Sequence, residues 1–377
     1  MSMLRFTRPI LMHQPRRLEF GTGAAGAVGR WAAEAGYRRI LVVANAFNAG
    51  RIGVLGLAGE VTVFGNARPE PDTHNLDEAL AVARETDPDL VIGFGGGSAM
   101  DLAKLVTVLR DGADLPGIIG PNRVTGRLNA LAQVPTTAGT GSEAGIRALV
   151  TDAATLNKVA VESPHMLADF AVLDPELTLS VPADITAATG VDTLAHCVEA
   201  FTSRKAHPMI DDFARMGIRL VGRYLERAVR DGADLEARAS LMLAAYYGGI
   251  CLGPVNTAAG HAIAYPLGTR LGLAHGAANA LVFPHVLAFN QPAAPEKTAE
   301  IVDSLGLGAA TDEAAVRAKA CAYCEVLGIE MHLSRLGATT NHLPQFAQEA
   351  HAIRRLMDNN PREMSEAEVL EIYRAAF

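Results

Sequence analysis

Asp89-Leu90-Val91-Ile92-Gly93-Phe94-Gly95-Gly96-Gly97-Ser98 is the stretch on which the fold turns. Its first half is a short, unbroken apolar run, the pattern of a strand buried on both faces. Its second half sets three consecutive glycines before a helix expected from about Ala99. Ser98 is a natural N-cap for that helix, and Asp101, three residues on, completes a capping-box-like pair. Consecutive glycines let the backbone approach a ligand without Cβ collisions. The helix N-terminus behind them offers free N–H groups and the positive end of a dipole. A pyrophosphate therefore suits Gly95, Gly96, Gly97 and Ser98 better than an ordinary turn does.

Outward from this stretch, strands and helices alternate. Buried strands are expected at residues 39–44 and 60–64, with a helix from Asn75 to Thr86 before the glycine strand. Further strands are expected at residues 132–137, 147–152, 157–161 and 171–173. This alternation argues a parallel sheet with helices on both faces. Residues 8–20 read as an extended strand pair feeding a glycine turn at Gly21, Gly23 and Gly26. That turn is a weak dinucleotide fingerprint, because it follows a polar ribbon and not a buried strand. From Pro182 the apolar spacing becomes helical, through residues 183–201, 209–230, 236–251 and 311–327. The expected organisation is an α/β Rossmann-like domain over residues 1–181 and an all-α domain over residues 182–377.

Composition agrees with two globular domains: 377 residues, 49% hydrophobic and 20% charged. A net charge of −8 disfavours nucleic-acid binding. No apolar run reaches the roughly 18–20 residues needed to span a bilayer, and the N-terminus lacks a signal-peptide core, so the cytoplasm is expected. Four cysteines exclude a disulfide scaffold, and Cys321 and Cys324 read as core thiols on a helix.

The chemistry concentrates between Thr186 and Asn290. Asp192 and His196, four apart on an expected helix capped near Asp184, share one face. One carboxylate and one imidazole at that spacing can share a divalent metal. His261 and His275 can complete a four-ligand set, and three imidazoles with one carboxylate suit iron(II) or zinc rather than calcium or magnesium.

Three motifs in this region are Gly190-Val-Asp192-Thr-Leu-Ala-His196-Cys-Val-Glu199-Ala, Gly260-His261-Ala-Ile-Ala-Tyr265-Pro266-Leu267-Gly268 and His275-Gly276-Ala-Ala-Asn279-Ala-Leu-Val-Phe-Pro284-His285-Val286. Together they strongly resemble the iron-containing (group III) alcohol dehydrogenases. The resemblance continues in Gly95 to Lys104, in Pro135-Thr136-Thr137-Ala-Gly139-Thr140-Gly141-Ser142-Glu143, in Leu173 to Thr178 and faintly in Asn360-Pro361-Arg362, so it covers nearly the whole chain. It implies a dehydroquinate-synthase-like architecture, metal binding by Asp192, His196, His261 and His275, and a nicotinamide cofactor (NAD or NADP) facing the metal. It also implies cofactor contacts from Asn45, Gly95, Gly96, Gly97, Ser98, Asp101, Thr136, Thr137, Thr140, Ser142, Lys158 and Thr178. Lys158 reads equally as a solvated lysine.

The implied activity is hydride transfer between a small primary alcohol or aldehyde and NAD(P), with Fe2+ (or Zn2+) at the metal site and catalysis involving His275 and Tyr265. Tyr265 stands where many members of that family carry a relay histidine; it either moves protons or packs against the nicotinamide. Asn45 stands where NAD-preferring members often have Asp, which leaves NADP open. Arg147 either clasps an acidic group on a 4-hydroxybutyrate-like substrate or pairs with Glu143 or Asp152. A homodimer through residues 8–20 is expected. A dehydroquinate-synthase-like lyase and a zinc glycerol-dehydrogenase-type enzyme are the alternative readings.

Overall fold

The computed structural model describes residues 7–109 and 114–377. They form two compact units: residues 12–180, and residues 181–377 together with residues 7–11.

The first unit is built on a six-stranded sheet of order β1-β9-β6-β4-β2-β3. The strands are β1 (Arg17–Phe20), β2 (Arg39–Ala44), β3 (Glu60–Phe64), β4 (Leu90–Gly95), β6 (Ala130–Pro135) and β9 (Phe170–Leu173). Every pairing in it is parallel. The smaller strands β5 (Gly120–Pro121), β7 (Arg147–Thr151) and β8 (Lys158–Glu162) form a separate three-stranded sheet. Alternation along the pleat splits the core in two. Ile40, Val42 and Ala44 of β2 pack with Val28 and Ala32 of α1 (Ala27–Glu34). Leu41 and Val43 pack on the other face with α2 (Thr73–Thr86) and α3 (Gly97–Leu109). Each buried Val, Leu or Ile among them stabilises the unit by about 1.5–3 kcal/mol.

One sequence expectation changes here, and one weak signal finds another explanation. Residues 8–20 are not a strand pair; only Arg17–Phe20 is a strand, and it lies at the sheet edge in parallel register with β9, Arg17 opposite Phe170. The Gly21–Gly26 turn is no phosphate cradle either. Asp174 fills it, accepting from the N–H groups of Gly23 at 3.2 Å and Ala25 at 3.0 Å.

The second unit is helical: α4 (Ala183–Thr202), α5 (Pro208–Arg230), α6 (Leu235–Leu252), α7 (Ala259–Leu271), α8 (His275–Asn290), α9 (Pro295–Ser304), α10 (Glu313–Val326), α11 (Leu343–Ala352) and α12 (Glu366–Ala375). Helix α4 is its buried axis, and glycines let its neighbours close on it. A Cβ at Gly190 would come within 2.2 Å of Leu225 on α5, and one at Gly217 within 2.4 Å of the Cys197 sulfur. The α4 N-cap is Pro182; Asp184 sits in the first turn, where it favours the dipole without capping. Cys197, Cys251 and Cys324 are buried thiols and Cys321 is half-buried.

Candidate metal centre and dinucleotide loop

Helix α4 carries Asp192 and His196 one turn apart, α7 brings His261, and α8 begins at His275. Gly276 allows this start, since a Cβ there would lie 3.0 Å from the Ala188 carbonyl oxygen. The four side chains converge, with donor atoms all within 4.8 Å of one another. Asp192 Oδ1 lies 3.6 Å from His261 Nε2, 3.7 Å from His275 Nε2 and 3.9 Å from His196 Nε2. Donors about 2.0–2.2 Å from one ion sit roughly 3–4 Å apart, so this spacing suits a single first-row cation.

Two residues outside the expected set orient these donors. Glu199, one turn beyond His196, accepts from His261 Nδ1 at 2.8 Å and from the N–H groups of His261 at 3.1 Å and Ala258 at 2.7 Å. A carboxylate cannot donate, so the shared proton sits on Nδ1, and Nε2 faces the cluster, where a metal ion can take the place of a second proton. Asn279, one turn beyond His275, donates to Asp192 Oδ1 at 2.7 Å and lies 3.1 Å from His275 Nε2. Both were visible in the sequence as members of the motifs. The available signal was helical spacing: +3 from His196 and +4 from His275.

The electrostatics call for a cation. Burial alone would raise the Asp192 carboxyl, but the imidazoles, His196 first, hold it well below the usual carboxylate range. Burial brings His196 down to about 4 against the pull of Asp192, so it is neutral and competent as a ligand. Burial would also lower His261, yet Glu199 and Asp192 outweigh it and lift that ring to about 10. Two buried carboxylates thus demand positive charge, either a proton on His261 or a metal ion in its stead. His261 Nε2 is buried without a hydrogen-bond partner, as a vacant ligand atom would be. Residues and charge both fit a divalent ion.

In the first unit, the chain leaves β2 toward the β3 edge, then returns to β4 on the other side and continues to β6. The β2 and β4 ends therefore flank a topological switch point, where open α/β sheets bind their ligands. Asn45 follows β2, Gly95 ends β4, and Gly96 links it to Gly97, the first residue of α3. Thr136 and Thr137 follow β6, with Thr140 beyond. The loop is tight: a Cβ at Gly97 would meet Thr140 Cγ2 at 2.7 Å, and one at Gly96 would meet Thr137 Oγ1 at 3.2 Å.

Several expected cofactor residues have other partners. Helix α3 starts at Gly97, so Ser98 is in its first turn and forms no capping box. Asp101 instead accepts from Ser142 Oγ at 2.6 Å and the Leu149 N–H at 2.9 Å. Asn45 caps the short Ala46–Ala49 helix, accepting from the Asn48 N–H. Thr136 accepts from Asn48 Nδ2, and buried Thr178 donates to the Pro175 carbonyl. Lys158 pairs with Glu70. Arg147 forms an ion pair with Glu162, its cross-strand partner, through Nη2 at 2.6 Å and Nε at 3.1 Å. Its charge is thereby met, by a residue other than Glu143 or Asp152. Tyr265 packs 6.1 Å from His275, ring to ring, and accepts from Arg355 at 3.4 Å.

A parallel sheet covered on both faces and an Asp-His-His-His cluster able to hold a metal narrow the class, and the known proteins that this chain resembles decide it. The pattern described as iron-containing alcohol dehydrogenase matches residues 15–175, and that of the Fe-containing alcohol dehydrogenase family C-terminal region matches residues 186–377. Long-chain-alcohol dehydrogenase 1 of Geobacillus thermodenitrificans is 34% identical, covering 100% of this chain and 98% of that protein. A crystal structure of 1,3-propanediol oxidoreductase superposes with a TM-score of 0.91 at 33% identity, covering 98% of this chain and 100% of that one. Sulfoacetaldehyde reductase from Bifidobacterium kashiwanohense, solved in complex with NAD+, gives 0.87 at 27% identity, covering 98% and 99%. The chain belongs to the iron-containing alcohol dehydrogenase family.

Proposed function

We propose that this chain interconverts a small primary alcohol and its aldehyde, using NAD or NADP and one divalent ion, most simply Fe2+, held by Asp192, His196, His261 and His275. The convergence of those four donors carries the reading. When bound, the ion supplies Lewis acidity to the substrate oxygen, and the nicotinamide accepts or returns a hydride. The protein's own residues do the rest. Glu199 holds His261 in the tautomer that offers Nε2. Asn279 fixes Asp192 and His275. Gly95–Gly97 and the N-terminus of α3 offer backbone N–H groups to a pyrophosphate. Tyr265, its ring beside His275, stands in the family's relay position.

The relatives are named for different alcohols and aldehydes, from 1,3-propanediol to sulfoacetaldehyde, in keeping with a small oxygenated substrate. We further propose a cytoplasmic enzyme that is at least a homodimer, paired through the exposed edge of β1. The deciding experiment is metal analysis coupled to turnover. One ion per chain is expected. His196→Ala should lose both metal and activity while keeping its circular dichroism spectrum. Full activity in rigorously metal-free protein would sink the reading.

A further inference from the structure

We propose that Arg355 gives this site a preference for substrates with an acidic group, binding a carboxylate, sulfonate or phosphonate at the far end of a short aldehyde or alcohol. This rests on the dehydrogenase reading above. His275 marks the open side of the cluster: its side chain is 21% exposed, against 4% or less for Asp192, His196 and His261. Tyr265 borders that side, its ring 6.1 Å from His275. Arg355 in turn lies against Tyr265, its guanidinium carbon 5.7 Å from the ring centroid and Nη2 donating to the phenol oxygen at 3.4 Å.

The charge of Arg355 is not otherwise met. Among the described residues no carboxylate pairs with it, whereas Arg354 has Asp358, and Arg362 has Glu313 and Glu368. Arg147 and Lys158 are likewise matched, by Glu162 and Glu70. The backbone under Arg355 is anchored, because Leu356 and Met357 are buried in the same core as Tyr265. An exposed guanidinium resting on a phenol, with its fork free of carboxylate, is suited to donating two parallel hydrogen bonds to the oxygens of an anion.

Kinetics on the metal-loaded enzyme should compare 4-oxobutanoate with butanal, which share chain length and differ in the acid. The wild type should prefer the acid. Arg355→Met should raise KM for 4-oxobutanoate by about 10- to 100-fold, the range of a lost hydrogen bond to a charged group. It should leave butanal, metal content and cofactor affinity unchanged, and Arg355→Lys should recover part of the loss. Succinate, which mimics the acid end without turning over, should lose affinity in Arg355→Met by calorimetry. Equal losses on both aldehydes would reduce Arg355 to a prop for Tyr265 and overturn the proposal. So would a weakened cofactor, which would place the anion on its phosphates. A wild type that reduces butanal with no preference for the acid refutes the role of Arg355 and spares the dehydrogenase reading. A wild type that reduces neither aldehyde counts against that reading instead. Succinate still decides Arg355 in that case, because unchanged binding to Arg355→Met overturns it.

Discussion

Glu199 and Glu143 are both buried carboxyls, and the protein holds them in opposite states. Burial would raise Glu199, but His261 and the Ala258 N–H outweigh it, so its pKa is lowered and it stays charged beside the cluster. Glu199→Gln should keep the hydrogen-bonding shape, lose the charge, and weaken metal binding by about 10- to 100-fold; competition with a chelator measures this. Burial pushes Glu143 up to about 7 from 4.5. Between those values the folded state holds a proton that the unfolded state has lost. Stability from this group is therefore full below about pH 4.5 and lost as pH rises through about 7, by about 3 kcal/mol. Lys104, drawn down to about 8 by its own burial, keeps its proton across that window. Glu143→Gln should flatten the profile, so that its denaturation midpoint changes less between pH 5 and pH 7.5 than that of the wild type. Identical profiles would show that Glu143 does not carry this pH dependence.

Helices and loops were legible wherever the signal was local. The i, i+4 pair on α4 and the apolar runs of β2 and β4 needed only spacing. The start of α3 did not read correctly, because three glycines in a row carry no side-chain cue to which one opens the helix. The partners of Arg147 and Lys158 were hidden in the pairing of β7 with β8 and in a loop far upstream. Glu199 showed its spacing but not its role, which comes from its contacts with Ala258 and His261 at the start of α7. Two glycines test how tightly these elements are set. A Cβ at Gly260 would lie 2.2 Å from Glu199 Oε1. Gly260→Ala should therefore displace Glu199, tilt His261 and lower metal occupancy, with the glycine-loop unit intact. Gly97→Ala should do the reverse. It should push Thr140 off the loop and raise the Kd for NAD(P)H by about tenfold or more, the scale of one lost charge-assisted hydrogen bond. Metal content should not change. Fluorescence titration of the cofactor and elemental analysis separate the two effects.

At the scale of the molecule, the edge strand is where the proposed dimer is tested. Leu18 and Phe20 are 40% and 45% exposed on β1, which among the described residues pairs in its sheet with β9 alone. An unprotected edge of this kind invites pairing with another copy. Light scattering should report a dimer or larger, and Leu18→Lys with Phe20→Lys should shift it toward monomer. The same strand also has a history within each chain. Its partner in register is Phe170–Leu173, so β1 leaves the ribosome with nothing to pair with. At about 5–20 residues per second, roughly 8–30 s of translation separate the two strands. For that interval Leu18 and Phe20 lie on an unpaired strand, and nascent chains stalled before residue 170 should be the ones that aggregate or recruit chaperones.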